Sequence, residues 1–276
     1  MKKYTSVFGM IVRHSFFQIL TIIIGMVLVE IYLFLNAVNK MLTQKGVCVG
    51  TDSDLELFSF TSTEETQEML LEFQEYPIIN LELAVENSHM VWIFLIAMAF
   101  VTISCCMTGC HFGSHQGYTL QRLQIKEKQI VCLQAVYNIL CYLLLWCVQM
   151  IVVYALCSYY KNHAIGTTNQ TIVFAFYRNN FLHNLFPMEE WLKWGKLIIG
   201  IFGLGILSAI FPYKQRMGKF GIEVILLFAV ISIFFSSDMG NYYIDAIVIE
   251  FVIGIVIIVC RQLYSREKKL KNESSI

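Results

Sequence analysis

The chain has 276 residues, 57% of them hydrophobic and 14% charged, against roughly 45–50% and about 25% in an average soluble domain. That balance excludes a water-soluble globular protein and describes one that lives in a membrane. The 20 basic and 20 acidic residues cancel, so charge says nothing about partners until it is sorted by loop, and no nucleic-acid partner is expected.

A bilayer core about 30 Å thick needs about 20 apolar residues in helical form. Six apolar runs are read in chain order, at 16–35, 91–108, 130–159, 197–211, 222–235 and 244–259. None alternates as a barrel wall would. The expected fold is therefore an all-α integral membrane protein, one transmembrane domain over 1–276 with six transmembrane helices. The fourth and fifth runs are short, and Trp191 and Trp194 lengthen the fourth as an interfacial collar.

Lys2 and Lys3 ahead of the first run resemble a signal peptide, but Arg13 and His14 interrupt it. No small-x-small cleavage site follows in "FLNAVNK", so the first run is read as a permanent anchor. Nine cysteines make no disulfide scaffold, because most lie inside runs or at their inner ends; Cys48 alone sits clearly in an outer loop.

With the N-terminus inside, fourteen of the twenty basic residues fall on inner segments: Lys2, Lys3, Arg13, Arg122, Lys126, Lys128, Lys214, Arg216, Lys219, Arg261, Arg266, Lys268, Lys269 and Lys271. Short inner loops rich in Lys and Arg set topology, so both termini are expected in the cytoplasm. The first outer loop, about 37–88, carries half of the acids, Glu64, Glu65 and Glu68 among them. Either it is a solvated, partly helical loop or it captures a cationic ligand such as an antimicrobial peptide. The second outer loop, about 160–196, ends in "FPMEEWLKWGK". There Pro187 suits a first helical position and Glu189 and Glu190 suit the first turn of a helix entering the fourth run.

Between the second and third runs lies "SCCMTGCHFGSHQGYTLQRLQIKEKQI". Cys106 and Cys110 are spaced i, i+4, as are His111 and His115, a spacing that offers a soft metal two ligands from one helix face. The paired spacings of a structural zinc site are missing, and cysteine packs well as a small apolar residue. Gly109, Gly113 and Gly117 permit close helix approach or mark a fraying end. From Tyr118 to Lys126 apolar and polar residues interleave, the pattern of a helix that lies along an interface or docks a partner.

This loop, 109–129, resembles the coupling loop of type-2 ABC exporter permeases, which reads approximately Glu-x-Gly-Thr-Leu-x-x-Leu-Leu-x-x-Pro-hydrophobic-Ser-Arg before the third span. Gly117, Thr119, Leu120 and Leu123 match, Ile125 takes the hydrophobic position, and Lys126 to Lys128 form the polar turn that follows. Gln116 stands near the usual acid and Gln124 replaces the proline. The resemblance implies a coupling helix, with Gly117, Tyr118, Thr119, Leu120, Arg122, Leu123, Ile125 and Lys126 as the residues that fit a cleft of an ATPase subunit. It also implies a second permease copy or a related permease, and a place in the bacterial plasma membrane.

This chain has no phosphate-binding glycine loop; "WGKL" and "MGKF" lack the preceding glycine and the following hydroxyl residue. ATP and Mg are therefore expected on the partner subunit, with no cofactor on this chain and no enzyme activity of its own. Of the acids in or near the runs, Glu250 is the most central, where a charge costs about 2.5–3.5 kcal/mol. It lines a substrate path or dimer seam, or it is a protonated carboxyl bonded to a neighbouring helix. Glu30 is a second candidate for the path or seam; Glu30 and Asp245 are read nearer the outer surface and Glu223 nearer the inner one, where snorkelling suffices.

The expected function is export of an amphipathic, peptide or lipid-like substrate. A non-catalytic immunity or scaffold protein is the alternative from another class. An intramembrane protease is disfavoured by the absence of HExxH and of a glycine-flanked serine.

Overall fold

The structure is a computed structural model that describes residues 2–48, 81–108, 127–163, 169–188, 190–216, 218, 221–236 and 242–273. In order, these form α1 (Lys2–Cys48), α2 (Leu81–Asn87), α3 (Met90–Met107), α4 (Glu127–His163), α5 (Asn169–Arg178), α6 (Asn180–Leu185), α7 (Trp191–Arg216), α8 (Ile222–Ser236) and α9 (Tyr242–Glu273). No strand occurs among the described residues. The described residues are all-helical, as expected of an α-helical membrane protein.

Among the described residues, five segments are long and apolar enough to cross a bilayer: Ser15–Met41, Met90–Met107, Lys128–Asn162, Trp191–Gln215 and Tyr243–Gln262. The fifth expected run, α8, has 15 residues, about 22 Å at 1.5 Å per residue and short of the apolar core of a bilayer. The fourth run begins at Trp191, as the tryptophan collar suggests, and gains six residues over the expected start at position 197.

Two loop boundaries differ from expectation. Nothing in 2–48 breaks a helix, since the chain's three prolines are Pro77, Pro187 and Pro212, so α1 runs on through 37–48, residues assigned to the outer loop. Pro187 does not open a helix: α7 starts four residues later, with Trp194 N–H bonded to the Glu190 carbonyl at 3.2 Å.

With the shorter α8 counted, α1, α3, α4, α7, α8 and α9 alternate in direction. Ser15 of α1 meets Tyr137 of α4, and Gln134 of α4 meets Thr108 at the end of α3. These contacts define a proximal end, where α1 begins. Phe94 of α3 and Phe235 of α8 meet at the opposite, distal end.

The hub is α7, which packs on α3, α4, α8 and α9, while α1 packs on α3 and α4 from the other side. Lipid gives helices no hydrophobic reason to associate, so close packing and hydrogen bonds hold them together. At Gly205 the α7 backbone lies against the α4 backbone: an added Cβ would stand 3.0 Å from Ile139 N and 3.1 Å from Ile139 Cα.

The distal end is closed by α6. Phe181, Leu182 and Leu185 are buried, and Phe181 packs on Phe94 and Phe235. Asn179 caps the helix, accepting from the N–H groups of Phe181 and Leu182 at 3.1 and 3.2 Å. Asn184 Nδ2 donates to the Phe234 carbonyl at 2.9 Å, one of the last carbonyls of α8 and without an intrahelical partner. A capped plug thus sits where the short α8 stops.

Candidate functional site

The stretch "QAVYNILCYLLLWCVQ", Gln134 to Gln149, places Gln134, Asn138, Tyr142 and Gln149 on one side of α4, at intervals of four, four and seven. All four are buried. A polar group in hydrocarbon must find a protein partner, and three of them have one. Gln134 Nε2 donates to the Thr108 carbonyl at 2.6 Å, just past the end of α3. Asn138 Nδ2 donates to Ser208 Oγ at 2.9 Å, which in turn donates to the Gly205 carbonyl at 3.1 Å. Tyr142 donates to Thr102 Oγ1 at 2.9 Å, and Thr102 passes its own proton to the Met98 carbonyl at 2.7 Å.

Two neighbours extend the seam. Ser15 Oγ donates to Tyr137 Oη at 2.7 Å, and Trp146 Nε1 donates to the Leu185 carbonyl at 3.2 Å. One helix is thereby tied to α1, α3, α7 and the α6 plug. Pro212 contributes from α7, because it lacks the N–H that would bond the Ser208 carbonyl four residues earlier.

The fourth stripe residue is different. Gln149 Oε1 and Nε2 are buried without a hydrogen-bond partner, and so are both carboxylate oxygens of Glu30 on α1. Asn138 Oδ1 and Gln215 Oε1 are the other such atoms among the described residues. Glu30 is 0% exposed. It lies two residues past the middle of Ser15–Met41, and its enclosure corrects the expectation that snorkelling suffices: the carboxyl faces the bundle interior.

Asp245 is corrected as well. Instead of snorkelling, it forms a buried ion pair with Lys196 of α7, and Lys196 Nζ stands 3.8 Å from the Phe234 ring centroid. Lys196 sits at the edge of an apolar cleft lined by Phe94, Met98, Trp146, Leu204 and Phe234, where α3, α4, α7 and α8 converge. Glu223 likewise has a partner, Lys214, and the pair links α7 to α8 at the proximal end. Glu190 precedes α7 and joins His183 Nε2 at 3.3 Å to Lys193 Nζ at 3.2 Å.

The other sequence candidates separate. Glu250 is exposed on α9, whose apolar segment is the least covered of the five, so it does not join the interior seam. Gly117, Tyr118, Thr119, Leu120, Arg122, Leu123, Ile125 and Lys126 lie outside the described residues, as do Glu64, Glu65, Glu68, Glu189, Cys110, His111 and His115. Cys105 and Cys106 are buried at the proximal end of α3. Among the described residues no three ligand-type side chains gather as a metal site would need.

Sequence reasoning missed Gln134, Asn138, Tyr142 and Gln149, although their helical spacing inside an apolar run was a readable signal. It also missed the Lys196–Asp245 pairing, which joins residues 49 apart.

No family model matches the chain, and no similar curated protein or solved structure is found.

Proposed function

We propose that this chain is the permease subunit of an ATP-driven ABC exporter of type-2 form, in a bacterial plasma membrane with both termini in the cytoplasm. In this reading α8 is a sixth span, shorter than the others, and α6 fills the remaining thickness at its distal end. The observation that carries the proposal is the link between α3 and α4. Its sequence holds the residues resembling a coupling loop, and the helices it joins end and begin on the side where Arg13, Lys128, Lys214 and Arg261 also lie.

The apolar cleft beneath Lys196 suits a lipid-like or amphipathic substrate. ATP and Mg belong to a separate ATPase subunit, and a second permease completes the pathway.

The test is capture and uncoupling. Full chain purified in mild detergent is expected to bring down a nucleotide-hydrolysing subunit. Leu120→Asp and Leu123→Glu are expected to lose it while the chain still inserts. A wild-type chain that captures no such subunit, or variants that keep both capture and coupled hydrolysis, would overturn the proposal.

A further inference from the structure

Four of the buried, unpartnered atoms form one set: Oε1 and Oε2 of Glu30 with Oε1 and Nε2 of Gln149. The two side chains are neighbours across the α1–α4 contact, short of hydrogen-bond geometry. At 1.5 Å per residue, Glu30 lies about 16 Å from Met41 and about 22 Å from Ser15 along α1, and both side chains are 0% exposed. Neither side chain opens onto the protein surface.

A carboxylate offers only acceptors, and an amide offers one acceptor oxygen and a donor nitrogen. An ionised Glu30 facing Gln149 therefore leaves the Gln149 oxygen without a donor. A neutral carboxyl removes that mismatch: its O–H donates to Gln149 Oε1, and Gln149 Nε2 donates back to its carbonyl oxygen. Two hydrogen bonds then form a closed ring, and no buried charge is left. Of the helices packed on α1, α4 supplies Gln149, and among the described residues no charged side chain of α2, α3 or α4 acts on the carboxyl. Among the described residues no lysine or arginine pairs with the Glu30 carboxyl.

We propose that Glu30 and Gln149 constitute a proton-binding site, in which one proton held on the Glu30 carboxyl closes an acid–amide pair that bolts α1 to α4 within the bilayer. The site does not depend on the permease reading. Losing the proton removes the O–H donor, sets Gln149 Oε1 against an anionic oxygen and leaves a charge in hydrocarbon, where unsatisfied polar groups are costly. Displacement of α1 from α4 is thereby tied to that proton.

The experiment is infrared spectroscopy of the full chain in lipid nanodiscs at neutral pH, with thermal unfolding alongside. A protonated-carboxyl C=O band is expected, downshifted in heavy water, absent from Glu30→Gln and moved by Gln149→Leu. Glu30→Gln is expected to melt with the wild type, because two amides close the same ring. Glu30→Ala and Gln149→Ala are expected to melt lower, and the double variant no lower than the worse single one. A Glu30 carboxylate signature at neutral pH, with sodium dependence or without, would overturn the proposal. So would a carboxyl band untouched by Glu30→Gln, or a Glu30→Gln chain that fails to insert or melts with Glu30→Ala.

Discussion

Adding one methyl group at Gly205 should force apart the two helices at the centre of the bundle. A Cβ there would stand 2.4 Å from Ile139 Cγ1, 3.0 Å from Ile139 N and 3.1 Å from Ile139 Cα. A rotamer change in Ile139 relieves the first contact but not the others, which are backbone and fall roughly 0.5 Å inside the optimal separation of about 3.5–4.0 Å. Overpacking of this kind costs about 1–3 kcal/mol, while exchanging glycine for alanine inside a helix returns about 0.5–1 kcal/mol. Gly205→Ala is expected to lose a net of about 1 kcal/mol, within a range of about 0–2.5 kcal/mol. Gly254→Ala is the internal control: nothing lies within 4 Å of its added Cβ, so the helix-propensity gain of up to about 1 kcal/mol stands alone. Equilibrium unfolding in mixed micelles reads both variants, and the signs are expected to be opposite. Equal shifts, or a stabilised Gly205→Ala, would refute the close approach of α4 and α7.

The Lys196–Asp245 pair is buried on both sides, so Asp245→Ala strands a lysine and is expected to cost about 3–5 kcal/mol. In the same unfolding assay Lys196→Met with Asp245→Leu should recover most of that loss. Asn184→Leu removes the donor to the Phe234 carbonyl; a loss of about 1–3 kcal/mol is expected, and faster proton exchange in the last turn of α8 would show where it arises. His89 turns the chain between α2 and α3 at φ 52°, a region that glycine enters freely and β-branched residues resist. His89→Val should therefore lower the melting temperature and His89→Gly leave it level or higher.

Composition and run length alone pointed to a helical membrane protein, because a 57% apolar chain arranged in helix-long runs suits a bilayer. They also located the long apolar helices to within a few residues at most ends, since hydropathy is a local sum. Where the ends moved, as at 37–48 and Trp191, the cause was a helix continuing through polar residues that hydropathy does not count. Tertiary structure decided which polar groups meet. Glu30 and Gln149, like Lys196 and Asp245, are far apart in the chain, and each looks like an isolated anomaly in its own run. Only the packing of α1 on α4 and of α7 on α9 turns them into pairs, because a hydrogen bond acts over about 3 Å of space and is blind to distance along the chain.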